Sequence, residues 1–292
     1  MVDIYRSPAG KEAVEGFYRK VLQRWPVPNR QVVVPTCEGD TFVIISGQTD
    51  ATPVVLLHGS GTNSSAWIQE VPEWAQHYRV YSVDMIGEPG FSAPSRPPLA
   101  STRYAAWLDD VWNHLGLQSA SLVGVSLGGW LALDYAVRRR EKVSSLTLLS
   151  PFGIGRQNRL CLVKIGLLRM CGSWGLRRFL KLVSGNANMP RALSDALVSL
   201  FRVFRPRMER IPIRTDEELS KLTMPVQLIL GGKDVLVHSN ETRDRMERLV
   251  PHLDLRYLEN EGHILPKQTR AIAEFLSAVH LTVEYQTTCK KV

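Results

Sequence analysis

Short apolar runs alternate with longer amphipathic stretches along most of the chain. Eight runs rich in Val, Ile and Leu predict β-strands, over Gln31–Pro35, Thr41–Ser46, Pro53–Leu57, Arg79–Asp84, Ser121–Val125, Val143–Leu149, Pro225–Leu230 and Leu253–Leu258. Most of them show little alternation of apolar and polar residues, which is typical of strands buried on both faces of a parallel sheet. The first two alternate more and are predicted to form an antiparallel edge.

The stretches between the strands have the spacing of amphipathic helices. Their apolar residues recur at helical intervals, over Gly10–Arg24, Ser64–His77, Thr102–Leu115, Leu127–Arg139, Glu241–Val250 and Lys267–Val279. This alternation predicts βαβ units, and therefore an α/β fold with a mostly parallel eight-stranded sheet flanked by helices. The tail from Thr282 to Val292 has no clear place in the core.

The alternation breaks between Ser150 and Leu222. The residues there form helical material rich in Leu and Arg, and the strand pattern returns only at Pro225. We interpret residues 151–222 as a helical lid, inserted into one core formed by residues 1–150 and 223–292. Packing on the core and lining an apolar passage are both open for the apolar lid residues Leu160, Leu162, Ile165, Leu167, Leu168 and Met170.

The composition is that of an ordinary globular chain of 292 residues, with 44% hydrophobic and 22% charged residues. No apolar stretch is long enough to predict a transmembrane helix, and the first 24 residues lack the apolar segment of a secretory signal. The four cysteines have no CxxC spacing, which favours neither a zinc site nor a disulfide framework. We therefore expect a cytoplasmic protein without a structural metal.

The formal net charge of +8 is concentrated in the predicted lid. Residues 151–222 hold 14 Lys and Arg against 5 Asp and Glu, so the rest of the chain is nearly neutral. A solvated basic face, attraction of anionic substrates and attraction to a membrane surface all fit this surplus. No nucleic-acid-binding motif accompanies it, so we expect neither a nucleic-acid partner nor stable membrane insertion.

One serine lies between two glycines at the junction of a predicted strand and helix. The segment Gly124-Val125-Ser126-Leu127-Gly128 is a G-x-S-x-G motif in strand–turn–helix context. Such a sharp turn strains the central residue and leaves no room for bulky neighbours two positions away. A tight turn around a buried serine is the alternative, but the context favours Ser126 as an exposed nucleophile.

A serine hydroxyl needs a base to remove its proton, and the base needs a carboxylate to orient it. His263 follows the last predicted strand in a loop and is the candidate base. Asp234 follows the strand Pro225–Leu230 in a glycine turn and is the candidate carboxylate, preferred over Asp84 because it lies between the serine and the histidine in the chain. The six other histidines lie in less suitable places: His58, His77, His114, His238, His252 and His280.

Acyl transfer also requires two donors for the oxyanion of the tetrahedral intermediate. The backbone N–H of Leu127, directly after the candidate nucleophile, is the first. The backbone N–H of Ser60, in the glycine-rich loop after the strand Pro53–Leu57, is the second candidate.

Motifs spread over most of the chain resemble those of the α/β-hydrolase fold superfamily: His58-Gly59-Ser60-Gly61, Asp84-Met-Ile-Gly87-Glu-Pro-Gly90-Phe-Ser92, Gly124-Val-Ser126-Leu-Gly128-Gly129, Gly232-Lys-Asp234 and Gly262-His263. The order of Ser126, Asp234 and His263 is also the order in that superfamily. Within it, three segments resemble small bacterial carboxylesterases: Arg6-Ser-Pro-Ala-Gly-Lys11, Trp25-Pro-Val-Pro28 and Thr215-Asp-Glu-Glu-Leu219.

The resemblance implies a Ser-His-Asp hydrolase that cleaves small-molecule esters through an acyl-enzyme, with a lid and without a cofactor. A carbon–carbon bond hydrolase, a thioesterase and an acyltransferase use the same triad and remain alternatives, as does a non-catalytic ligand receptor of the same fold. Haloalkane dehalogenases and epoxide hydrolases of this fold are disfavoured, because their nucleophile is an aspartate.

Overall fold

A single eight-stranded sheet forms the centre of the computed structural model, which describes residues 3–185 and 189–289. The strands are β1 (Asn29–Val34), β2 (Thr41–Ser46), β3 (Thr52–Leu57), β4 (Tyr78–Val83), β5 (Ala120–Val125), β6 (Val143–Leu149), β7 (Val226–Gly231) and β8 (Leu253–Leu258). Their spatial order is β1-β2-β4-β3-β5-β6-β7-β8. β2 is antiparallel to β1 and β4, and all other neighbouring strands are parallel. The predicted fold class, with its antiparallel edge, is confirmed.

Ten α-helices are described: α1 (Pro8–Leu22), α2 (Val71–Trp74), α3 (Arg103–His114), α4 (Leu127–Arg138), α5 (Arg159–Met170), α6 (Gly172–Ser184), α7 (Arg191–Val203), α8 (Asp216–Ser220), α9 (Ser239–Leu249) and α10 (Thr269–Cys289). One predicted helix, Ser64–His77, is wrong. Its residues form a 3₁₀ turn at Ser64–Trp67 and the four-residue α2. Pro72 has no N–H to donate, so a continuous helix would lack a hydrogen bond at this point.

The last helix is longer than its predicted span. α10 runs to Cys289, ten residues past the predicted end at Val279. The added stretch contains neither glycine nor proline, so nothing in its sequence stops the helix. The final residues 290–292 of the predicted tail lie outside the described residues.

Helices cover both faces of the sheet and bury its central strands. α3, α4, α8 and α9 pack on one face, where Trp107, Trp112 and Trp130 are fully buried. α1, α2 and α10 pack on the other face, around Trp74. Every residue of β7, including the polar Gln227, is buried, as is typical of a central strand covered on both faces.

Four helices, α5 to α8, lie between β6 and β7 in the chain, and backbone hydrogen bonds tie the first three to the rest of the molecule. At the end of α6, the carbonyl of Val183 accepts hydrogen bonds from the N–H groups of His263 (3.0 Å) and Ile264 (3.3 Å). At the end of α7, the Arg6 N–H donates to the carbonyl of Val203 over 2.8 Å. The division at residues 151 and 222 stays a prediction.

A buried ion pair joins the segment after α7 to the core. The Arg214 guanidinium, 6% exposed, donates to the carboxylate of Asp134 in α4, which is 1% exposed. Burial raises the pKa of Asp134, and the nearby Arg214 and Arg138 cations oppose that rise. Arg214 also lies over the ring of Trp130.

We expect Arg214→Met to lower the free energy of unfolding by about 3 kcal/mol, because Asp134 would keep a buried charge with less compensation. The double variant Arg214→Met/Asp134→Leu should recover part of this loss, since neither buried charge remains. Urea denaturation measures both.

The control is Lys221→Met, which breaks the exposed pair with Glu217 and should change stability by less than about 1 kcal/mol. Equal effects of Arg214→Met and Lys221→Met would contradict a special role for the buried pair.

Candidate active site

Ser126 lies between β5 and α4 in a backbone conformation that non-glycine residues seldom adopt. Its φ is 56° and its ψ is −112°. A Cβ atom on Gly124 would lie 2.4 Å from the carbonyl oxygen of Gly128, and one on Gly128 would lie 2.3 Å from that of Leu57. Both positions therefore exclude any side chain, as the turn requires.

The structure brings Ser126, His263 and Asp234 together. His263 Nε2 lies 2.8 Å from Ser126 Oγ, and His263 Nδ1 lies 2.6 Å from Asp234 Oδ2. The side chains of His263 and Asp234 are 6% and 1% exposed. His263 is 137 positions from Ser126 and 29 positions from Asp234 in the chain, and the fold joins the three side chains in one continuous line of hydrogen bonds.

The loops that carry the histidine and the aspartate are held by their own backbone contacts. Asp234 Oδ1 accepts hydrogen bonds from the N–H groups of Leu236 (2.7 Å) and Val237 (3.3 Å), which leaves Oδ2 for His263. The His263 ring lies beside that of Phe152, with 5.5 Å between the ring centroids. These contacts restrict both side chains to the orientation in which they meet.

Asp84, the other carboxylate that sequence reasoning considered, has different partners. Its Oδ1 accepts hydrogen bonds from the Tyr18 hydroxyl (2.9 Å) and from the N–H (2.9 Å) and hydroxyl (2.6 Å) of Ser64. Its Oδ2 accepts from the Phe91 N–H over 3.0 Å. Asp84 therefore joins α1 to the loops that follow β3 and β4.

His58 has a backbone-supporting role. It is fully buried, and its Nε2 accepts a hydrogen bond from the Met85 N–H over 2.9 Å, so Nδ1 carries the proton and donates to the carbonyl of Gly59. Burial lowers the pKa of His58, which favours this neutral form.

The glycine-rich loop after β3 approaches the serine closely. A Cβ atom on Gly59 would lie 3.7 Å from the Cβ of Ser126. The backbone N–H groups of Ser60 and Leu127 have no acceptor among the residues that the structure describes. Both are available for a ligand oxygen beside Ser126.

Glu88, to which the sequence analysis assigned no role, stabilises this loop through hydrogen bonds. Its Oε2 accepts hydrogen bonds from the Gly61 N–H (2.6 Å) and the Ser60 hydroxyl (3.2 Å), and the residue is 3% exposed. Burial raises the pKa of Glu88 to about 7, against the opposing effect of these donors and of the Arg96 and Arg207 cations. The sequence feature that could have indicated this role is the position of Glu88 in the motif Gly87-Glu-Pro-Gly90.

A cavity of about 1980 Å³ extends from the serine. Ser126, His263 and Ser60 line it at one end, and apolar side chains line most of the rest. α6 and α7 contribute Leu176, Leu180, Leu197 and Phe201, and α1 contributes Val14 and Phe17. This volume exceeds that of common small-molecule pockets, about 300–1,000 Å³.

Among residues 3–185 and 189–289, no group of three or more His, Cys, Asp or Glu side chains is arranged to hold a metal ion. Over the same residues, no helix is both long and apolar enough to span a bilayer.

The sheet order, the strained serine after a central strand and the late histidine together define an α/β hydrolase. Comparison with known proteins agrees, since the model of the alpha/beta hydrolase family matches residues 54–275. The chain belongs to this family.

Relatives with known names indicate which kind of α/β hydrolase the chain resembles. The chain is 32% identical over 259 residues to the uncharacterized carboxylesterase nap of Bacillus subtilis (strain 168), covering 85% of each chain. It is 29% identical over 256 residues to carboxylesterase YbfK of the same organism, covering 85% of this chain and 86% of the relative. The solved naproxen esterase of Bacillus subtilis superimposes with a TM-score of 0.80 at 28% identity, covering 97% of this chain and 100% of that one. The protein is a hydrolase that acts on ester bonds.

The raised pKa of Glu88 predicts a pH dependence of stability. A folded carboxyl with a pKa of about 7, against an ordinary value of 4.5, binds more protons than the unfolded one between these values. Stability is therefore lost as the pH rises through this window. Between pH 5.5 and 8 the loss from Glu88 should be about 2 kcal/mol, and Glu88→Gln should abolish it.

Urea denaturation of the wild type and Glu88→Gln at both pH values measures the difference, because the other titrating groups contribute equally to both proteins. Glu73→Gln, at an exposed position, should keep the wild-type dependence. The same pH dependence in wild type and Glu88→Gln would rule out a strongly raised pKa.

Proposed function

We propose that the protein hydrolyses carboxylic esters of small molecules through an acyl-enzyme formed on Ser126. The observation that carries this proposal is the line from Asp234 through His263 to Ser126, with heavy-atom distances of 2.6 and 2.8 Å. These distances lie within the range for proton transfer between nucleophile and base. The carboxylesterases among the relatives support an ester as substrate.

In the acylation step, Ser126 Oγ attacks the ester carbonyl carbon while His263 Nε2 takes its proton. The Asp234 carboxylate holds the Nδ1 proton of His263, so Nε2 is the free lone pair, and its charge stabilises the imidazolium. Collapse of the tetrahedral intermediate breaks the carbon–oxygen ester bond. His263 then gives its proton to the alcohol that leaves.

The oxyanion of the intermediate is bound by the backbone N–H groups of Ser60 and Leu127. Leu127 is the first residue of α4, so the helix N-terminus adds its positive dipole there. Glu88 maintains the position of Ser60 by holding the next N–H, that of Gly61. Donors placed in advance of the reaction are worth several kcal/mol each to the transition state, on the order of 3.

Deacylation repeats the same steps with water. His263 takes a proton from water, whose oxygen attacks the acyl carbon, and the collapsing intermediate returns the proton to Ser126 Oγ. The products are the carboxylic acid and the regenerated serine.

The acyl part of the substrate occupies the apolar cavity beneath residues 151–222, which act as the lid. Leu176, Leu180 and Leu197 of that segment line the cavity together with Phe17 of α1. A cavity of this size accommodates acyl groups much longer than acetyl.

We expect Ser126→Ala to abolish hydrolysis of p-nitrophenyl esters and labelling by a fluorophosphonate, since the nucleophile is lost. The matched control Ser220→Ala removes a hydroxyl that only donates within α8 and should keep both activities. A series of acyl lengths measured on the wild type then sizes the cavity. Ester hydrolysis that persists in Ser126→Ala would exclude the proposed acyl-enzyme.

We expect Asp234→Asn to lower kcat by about three to four orders of magnitude, because an amide favours the wrong tautomer of the base. Asp234→Asn should still bind substrate, so KM changes little. A kcat within tenfold of wild type in Asp234→Asn, about 1.4 kcal/mol, would contradict the assignment.

A further inference from the structure

The exposed apolar side chains of the described residues are concentrated on the segment 151–222. Nine large apolar side chains are at least half exposed among the residues that the structure describes, and six of them belong to this segment. These six are Leu160, Leu167, Met170, Trp174, Leu193 and Met208, with exposures from 50% to 83%. Leu167 and Met170 were candidates for lining an apolar passage, but they face solvent instead. The side chains of Leu162 and Ile165 lie outside the described residues.

α5 and α6 each present one face to solvent. On α5, Leu160, Lys164 and Leu167 follow each other at helical spacing and are all exposed. On α6, Trp174, Arg178 and Lys181 repeat this spacing. The opposite face of α6, with Leu176, Leu180 and Val183, is buried and lines the cavity. The exposed face is named here the α5–α6 face, comprising Leu160, Lys164, Leu167, Met170, Trp174, Arg178 and Lys181.

The charged side chains of α5 and α6 are all positive. From Arg159 to Gly185 the sequence contains six Lys and Arg and no Asp or Glu. Lys164, Arg178 and Lys181 have no acidic partner within the part of the chain that the structure describes. Arg177, by contrast, pairs with Asp195 of α7. The cations of the α5–α6 face are therefore free to bind external anions.

Leu, Met and Trp side chains interleaved with unpaired cations fit an anionic lipid surface. The apolar groups enter the boundary of the acyl chains while Lys and Arg contact the charged headgroups. Nucleic acid would use the cations and Trp174, but it gains nothing from the exposed Leu160, Leu167 and Met170. The mixture of the two residue classes favours lipid.

The cavity reaches the same side of the molecule. Leu160 and Leu193 are both exposed and also line the cavity, so the cavity reaches the surface beside these two side chains. Val183, at the end of α6, is hydrogen-bonded to the backbone of His263. This bond holds the α5–α6 face at a set position relative to the site.

We propose that the α5–α6 face docks on anionic lipid surfaces and that the site draws acyl esters from them through the opening beside Leu160. The proposal of lipid docking is supported by the exposed residues and the charge of the α5–α6 face. The choice of acyl esters as substrates rests on the proposed ester hydrolysis.

The test measures co-sedimentation of the full chain with vesicles of phosphatidylcholine alone, and of phosphatidylcholine mixed equally with phosphatidylglycerol. The wild type should bind the anionic vesicles and lose binding at high salt. Lys164→Gln/Arg178→Gln/Lys181→Gln should weaken binding at least about tenfold. Leu167→Ser/Met170→Ser/Trp174→Ser should weaken it to a similar extent.

The matched control is Lys20→Gln/Arg24→Gln/Arg30→Gln, which removes the same charge from exposed positions outside the lid and should keep vesicle binding. Hydrolysis of a water-soluble p-nitrophenyl ester should be equal in all four proteins, which shows that the variants fold. Hydrolysis of a long-chain p-nitrophenyl ester carried in anionic vesicles should fall only in the two triple variants of the α5–α6 face.

Absence of wild-type binding to anionic vesicles would overturn the docking proposal. Equal weakening in the control triple variant would overturn it too, because binding would then follow net charge alone. Binding of an oligonucleotide as strong as that of vesicles, unaffected by the apolar triple variant, would assign the face to nucleic acid instead. A wild type that binds vesicles but hydrolyses no ester would contradict the proposed function and leave the docking result standing.

Discussion

The backbone of Ser126 keeps its unusual conformation only because three chain segments meet there without side chains between them. Such a conformation costs on the order of 1–3 kcal/mol and persists where its surroundings determine it completely. The carbonyl groups of Leu57, His58 and Gly128 pass so close to Gly128 and Gly124 that any Cβ atom would collide with them. The conformation of the serine therefore depends on the close packing of β3, β5 and α4. The sheet order, with β3 beside β5, supplies this packing.

Two buried acids then organise the loops around the serine. Asp84 connects α1 and the residues after β3 and β4, and Glu88 holds the N–H of Gly61. On the other side of the loop, the ring of Phe201 lies against Gly61, where a Cβ atom would be 2.7 Å from the ring. The loop of the candidate oxyanion donor is thus enclosed between a buried carboxylate and a helix of the predicted lid.

Hydrogen bonds and a buried ion pair connect the segment 151–222 to the rest of the molecule, including the loop of His263. Val183 binds the backbone of His263, Val203 binds that of Arg6, and Arg214 pairs with Asp134. A swing of the whole segment would break the first of these bonds and release the loop of the histidine. The same backbone contact fixes the end of α6 relative to the loop of His263.

The sequence by itself determined the eight strands, their mostly parallel arrangement and the identity of the three residues that meet at the site. Unalternating apolar runs and a glycine-flanked serine are local signals, because burial on both faces and a sharp turn constrain neighbouring residues. It did not determine that Ser64–His77 is broken, that Glu88 supports the loop of Ser60, or that Leu167 and Met170 are exposed. Those outcomes depend on contacts between segments far apart in the chain, such as Gly61 with Glu88, 27 positions away. Side-chain burial and hydrogen-bond partners of this kind arise only when the sheet and its helices are assembled.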